Sequence, residues 1–237
     1  MLMNELIGEF LGTAMLVLLG NGVVAGVVLN KTKNNNAGWI VITIGWAMAV
    51  TMSVFTFGKL TPGAHFNPAV TIAMAVAGNT PWSSVIPYII AQFLGAFLGQ
   101  LIVWQMYKPH YDATEDTGAV LGTFATGPAL YDKASNYISE IVGTFVLVFT
   151  ILSFGLQELA AGLTPLLVGG LVLAIGLSLG GTTGYAINPA RDLGPRIVHH
   201  FLPLKHKGDS DWGYALVPVL GPIIGAVLAA VLHGLIF

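Results

Sequence analysis

The side chains able to do chemistry in this 237-residue chain are few and far apart. Two glutamates, Glu9 and Glu140, lie inside apolar stretches; His65 stands in one loop, His199 and His200 in another; Arg191 directly follows an Asn-Pro-Ala triplet. Covalent catalysis needs a nucleophile beside a base, and a metal centre needs several ligands at regular spacing. Neither pattern occurs, no glycine-rich phosphate loop is present, and the chain has no cysteine. The expectation is therefore no catalytic residue, no metal and no cofactor, and a fold held by packing and hydrogen bonds without disulfides.

The elements that must position these residues follow from composition. Apolar residues make up 55 % of the chain and charged ones 8 %, with a net charge of -2. So little charge, so scattered, excludes nucleic acid as a partner and makes the lipid bilayer the solvent. A hydrocarbon core of about 30 Å asks for roughly 20 apolar residues per helix. Segments 6–29, 39–57, 85–107, 137–155, 165–180 and 214–237 meet or approach that length, which gives six spans. The first lacks a basic leader and is longer than a signal-peptide core, so it reads as a retained span. Segments 58–80 and 181–211 each hold an apolar piece too short to cross, and 108–136, rich in Gly, Thr, Asp and Pro, reads as an ordered extramembrane loop.

The chain repeats itself. Glu9-Phe10-Leu11-Gly12-Thr13 is echoed by Glu140-Ile141-Val142-Gly143-Thr144, and Ala64-His65-Phe66-Asn67-Pro68-Ala69 by Tyr185-Ala186-Ile187-Asn188-Pro189-Ala190. The chain is expected to form a single transmembrane domain, 1–237, of two copies, approximately 1–107 and 137–237, joined by the loop 108–136. Three spans per copy is an odd number, so the copies lie in the membrane with opposite orientations and their short pieces re-enter from opposite faces.

Asn-Pro-Ala is locally a helix start: Asn caps the first amides, and Pro at the first helical position lacks an N–H that would have no partner. Asn67, Pro68 and Ala69, and again Asn188, Pro189 and Ala190, each open a half-length helix of about ten residues, or roughly 15 Å. Meeting at the midplane, the two N-termini would turn positive dipole ends toward one point and repel cations and hydronium there. The amides of Asn67 and Asn188 would donate, and the backbone carbonyls of Gly63, Ala64, His65, Phe66, Gly184, Ala186 and Ile187 would accept. Irregular backbone at membrane depth is tolerated where it lines a wet cavity, so these turns imply one. Inverted repeats with broken helices also occur in coupled carriers. A carrier needs an intramembrane group that binds or releases an ion, and the only candidates are Glu9 and Glu140.

Through these motifs the chain resembles the major intrinsic protein family, the aquaporins and aquaglyceroporins, over essentially its whole length. The resemblance implies an all-α membrane protein of the aquaporin fold, with six transmembrane helices plus two re-entrant half-helices in an inverted 3+3 repeat. In that family an outer constriction is built by four residues, matched here by Trp46, Gly176, Tyr185 and Arg191. The match at Trp46 needs one extra residue near Thr61 and Pro62. Gly176 leaves width where water-selective relatives carry His, and the aromatic corner with Arg191 suits a polyol. Asp192, Arg196 and Pro218 resemble positions that mark the glycerol-conducting branch, whereas Val219, Gly127 and the phenol of Tyr185 depart from its usual residues. Glu9 and Glu140 resemble glutamates that brace the re-entrant loops.

The expected function is passive conduction of glycerol and water, with dihydroxyacetone and protonated lactic acid as further candidate solutes and a water-selective channel as the alternative. The family also implies a homotetramer with one pore per subunit, in the cell membrane, with cytoplasmic termini. The lysines point the other way: Lys31, Lys33, Lys108, Lys133, Lys205 and Lys207 all fall on the side opposite the termini, leaving Lys59 on the termini side. Small residues at Gly95, Ala96 and Gly99, and at Gly221, Gly225 and Ala226, are expected to let helices approach closely.

Overall fold

The computed structural model describes residues 2–237. Among them are nine helices: α1 (Leu2–Val28), α2 (Trp39–Phe57), α3 (Pro68–Val76), α4 (Trp82–Asp112), α5 (Thr117–Gly122), α6 (Lys133–Phe154), α7 (Thr164–Ser178), α8 (Pro189–Phe201) and α9 (Val217–Ile236). The described residues contain no strand, as expected where lipid offers the backbone no partner and each span must satisfy itself.

Five helices, α1, α2, α4, α6 and α9, are long and apolar enough to cross a membrane. The fifth predicted span, α7, has only 15 residues, or about 22 Å. It is continued by turns through residues 179–183 that lead into the second re-entrant loop. The third span runs to Asp112, beyond the expected end at residue 107, with Pro109 inside it. A proline in a last turn costs one hydrogen bond and need not end a helix, and here Lys108 and Asp112 pair across that turn at 2.9 Å. The linker expected as a loop contains one short helix, α5, started by Asp116, whose carboxylate accepts from the amides of Gly118 and Ala119 at 2.9 and 3.1 Å.

Packing follows the repeat. α1 lies along α4, and α6 along α9. Each half-helix packs on the third span of the other copy as well as its own, α3 against α9 and α4, α8 against α4 and α9. The close approaches need glycine: a Cβ on Gly95 would run into the Phe10 carbonyl of α1, and one on Gly225 into the Ile141 carbonyl of α6. Large apolar side chains such as Ile40, Phe55, Ile86, Ile90 and Ile224 are exposed on the outside of this bundle, where lipid tails replace water as the solvent.

Candidate functional site

Both Asn-Pro-Ala triplets begin helices. Asn67 and Asn188 are extended N-caps, each followed by proline in the first turn of α3 or α8, and their side-chain oxygens accept from the amides of Ala69 and of Ala190 and Arg191. At nine and 13 residues the two helices reach only part of the way through a bilayer. Their N-termini are tied together. Asn67 Nδ2 donates to the Ile187 carbonyl at 2.7 Å, and Asn188 Nδ2 donates to the Phe66 carbonyl at 2.8 Å. Each amide keeps a second N–H, and both asparagines line the cavity beside them.

The loops before the triplets are strained in the same way. Gly63, Ala64 and Phe66 have positive φ of 83°, 42° and 48°, and Gly184, Tyr185 and Ile187 have 80°, 40° and 44°. Non-glycine residues in this region cost on the order of 1–3 kcal/mol each and persist only where surroundings over-determine them. The over-determination comes from the two buried glutamates. Glu9 accepts from Thr61 Oγ1 at 2.8 Å and the amides of His65 and Phe66 at 3.0 and 2.8 Å. A fourth donor, Gln92 Nε2, reaches it at 2.7 Å. Glu140 accepts from Thr183 Oγ1 at 2.8 Å and the amides of Ala186 and Ile187 at 3.0 and 2.9 Å. Neither glutamate forms an ion pair; among the described residues the side-chain ion pairs are Lys108 with Asp112 and Arg196 with Asp192.

A trans peptide sets its carbonyl opposite its N–H. Amides drawn toward Glu9 and Glu140 therefore turn the carbonyls of Ala64, His65, Tyr185 and Ala186 away from them. Two corrections to the expected carbonyl ladder follow. The Phe66 and Ile187 oxygens are already engaged by the asparagines, and the Tyr185 carbonyl, absent from the expectation, joins the outward set.

These groups face a cavity of about 310 Å³ lined by Gly63, Ala64, His65, Phe66 and Asn67 from one loop and Tyr185, Ala186, Ile187, Asn188 and Arg191 from the other. Its remaining wall is mainly apolar, with Leu16, Val50, Val54, Val70, Met74, Leu147, Ile151, Phe154, Val168 and Val172 beside Gly155 and Thr164. The two loops thus supply hydrogen-bonding groups, and most of the remaining wall offers van der Waals contact.

Three of the four expected filter residues, Trp46, Tyr185 and Arg191, line this cavity. The Arg191 guanidinium carbon sits 4.3 Å from the Trp46 ring centroid, a cation–π contact, and Nη1 donates to the Phe124 carbonyl at 3.4 Å. Gly176 is a correction, because it does not reach the lumen. A Cβ there would lie 2.8 Å from Tyr185 Cζ, so the ring occupies the space the missing side chain leaves. Gly184 is likewise outside the lining and packs under Thr126. The phenol oxygen of Tyr185, one of the departures from the glycerol-conducting branch, is buried with no partner among the described residues.

Asp192, Arg196 and Pro218 also lie outside the cavity lining. Asp192 Oδ2 accepts from the amide and hydroxyl of Thr126 at 2.6 and 2.7 Å, and its Oδ1 accepts from Arg196 Nε at 3.0 Å. Arg196 also donates to the carbonyls of Ser210, Asp211 and Thr126 at 2.8, 3.1 and 2.7 Å. The pair bolts two loops onto α8, while Pro218 stands in the first turn of α9. His65 contributes its ring as well as its backbone, bonding Thr71 Oγ1 at 3.1 Å, and His199 bonds Ser210 and the Lys207 carbonyl. Sequence reasoning missed Gln92, Asn21, Gln100 and Thr126; a polar amide inside an apolar span was the available signal for the first three.

The asparagine caps admit a direct test. Asn188→Ala removes two cap acceptor contacts and the bond to Phe66, and is expected to lower stability by about 1–2 kcal/mol. Unfolding of purified protein in detergent against increasing denaturant measures it, and an unchanged midpoint would contradict the role of the cap.

Two half-helices joined at their N-termini beside an amphipathic passage define a membrane channel of the inverted-repeat class. The chain belongs to the major intrinsic protein family, whose sequence profile matches residues 1–233. It is 64 % identical over 220 residues to the glycerol uptake facilitator protein of Streptococcus pneumoniae (strain ATCC BAA-255 / R6), covering 93 % of this chain and 94 % of that one. It is 60 % identical over 217 residues to glycerol uptake facilitator protein 3 of Lactiplantibacillus plantarum, covering 92 % and 90 %. Among solved structures, the aquaglyceroporin from Plasmodium falciparum superposes with a TM-score of 0.87 at 29 % identity, covering 98 % of this chain and 96 % of that one.

Proposed function

We propose that the chain is a passive channel for glycerol, related small neutral solutes and water, and not an enzyme. The observation that carries this reading is the two-sided cavity. A polyol has hydroxyls along one edge and C–H groups along the other, and it can exchange its hydration for carbonyls and asparagine amides while its carbon chain lies on the apolar wall. Trp46, Tyr185 and Arg191 form the constriction in this reading, with Arg191 donating to solute hydroxyls. The cation at Arg191 and two helix N-termini disfavour cations and hydronium in the passage.

The two buried glutamates, the intramembrane carboxylates a carrier reading would use, are engaged by loop donors rather than free to bind and release a coupling ion. That favours a channel over a carrier. The chain is an integral membrane protein; placement in the cell membrane with cytoplasmic termini and assembly as a homotetramer complete the proposal.

Stopped-flow light scattering on proteoliposomes tests it. An outward osmotic step with glycerol should produce shrinkage and then reswelling faster than in protein-free vesicles, linear in the gradient and unaffected by a pH difference. Fast shrinkage without fast reswelling would leave the water-selective reading, and gradient-coupled, saturating uptake the carrier.

A further inference from the structure

Asn21 in α1 and Gln100 in α4 are polar amides in the interior of apolar spans, and both are completely buried. Such groups are costly in a membrane unless partnered. Asn21 Nδ2 donates to Gln100 Oε1 at 2.6 Å and to the Phe124 carbonyl at 3.2 Å. That carbonyl is the one that accepts from Arg191 Nη1. Asn21 Oδ1 and Gln100 Nε2 stay buried without partners among the described residues. A purely structural contact would be better served by two apolar side chains, which leave nothing unpaired.

The segment carrying this carbonyl lies beyond the end of α5 and is held at three points. The Phe124 ring is fully buried, 5.7 Å from Tyr111 and 5.0 Å from His199 between ring centroids. Thr126 is clamped by Asp192 and Arg196. Ring packing and the Thr126 clamp do not set the direction of the Phe124 carbonyl; its peptide plane is set by the Ala125 N–H, which donates to the Leu121 carbonyl at 3.0 Å, and the Asn21 amide holds the oxygen from the other side.

We propose that Asn21, backed by Gln100, is a positioning residue for selectivity: it steadies the Phe124 carbonyl so that this oxygen holds the Arg191 guanidinium against Trp46. The inference rests on the reading of Trp46, Tyr185 and Arg191 as the constriction. Among the described residues the guanidinium has two such contacts, the Trp46 face and this oxygen. Loosening one leaves the cation free to swing, and a constriction with a mobile wall discriminates less by solute width.

The test uses the full chain in proteoliposomes and reads the ratio of permeability for a four-carbon polyol to that for glycerol, which does not depend on how many channels are folded. Asn21→Leu, of similar volume, should raise the ratio by about threefold or more, as coupling between contacting residues predicts. In an Arg191→Ala background, which should itself shift the ratio, Asn21→Leu should add nothing. An unchanged ratio in folded Asn21→Leu, or the same added shift without Arg191, overturns the proposal. No shift on Arg191→Ala alone overturns instead the constriction reading on which it rests. Should Asn21→Leu fail to fold, Gln100→Leu decides: a smaller shift in the same direction supports the proposal, and an unchanged ratio ends it.

Discussion

Gly176→His should cut glycerol permeability roughly five- to 150-fold while reducing water permeability far less. The added Cβ would lie 2.8 Å from Tyr185 Cζ and 3.0 Å from both Tyr185 Oη and Thr43 Cγ2, so something must move. Tyr185 cannot retreat. Trp39 stands edge-on to its ring at 5.8 Å between centroids and is itself tied to α7 by its indole N–H, which donates to the Gly176 carbonyl at 3.0 Å. The open side is the cavity that Tyr185 already lines. Overpacking of this kind costs about 1–3 kcal/mol. Added to the barrier for a solute that fills the passage, that range gives the stated fold-change, since each 1.36 kcal/mol is tenfold. Water is narrower and meets less of the displaced ring. Light scattering with water and glycerol on the same vesicles measures both, and equal loss of the two would refute the assignment of Tyr185 to the constriction, with Gly176 behind its ring.

The other large effect is expected at Glu140. Glu140→Ala leaves two backbone amides and one hydroxyl without acceptors, at about 1–3 kcal/mol each, so a stability loss of about 3 kcal/mol or more is expected. Glu140→Gln should fall between, because one oxygen remains while an NH2 group opposes a donor. The carboxylate also holds Tyr185 and Ile187 in left-handed conformations that they would otherwise leave. Folded Glu140→Ala protein should therefore lose conduction as well. Denaturant unfolding in detergent, followed by tryptophan fluorescence, gives the stability; a wild-type midpoint together with wild-type flux would rule out a bracing role.

Several features are legible in the order of residues alone. Apolar composition and length mark the spans because lipid forces each helix to be apolar and self-satisfied. The half-helix starts are readable because capping is local: Asn and Pro act on amides two or three residues away. Glu9 and Glu140 stand out because a charge inside an apolar run is conspicuous. The third span runs past its expected end at residue 107 because Pro109 sits in a last turn, where only one bond is lost and the helix can continue.

What the sequence by itself determined is the inverted repeat, the pair of capped half-helices and the family to which the chain belongs, all of which rest on near neighbours along the chain. Only the tertiary structure decided that Tyr185 fills the room left by Gly176, that Asp192 and Arg196 clamp Thr126, and that Asn21 reaches the oxygen that holds Arg191. Those contacts join residues distant in sequence across a closed bundle. They depend on angle and distance to a fraction of an ångström, which no spacing of residue types encodes.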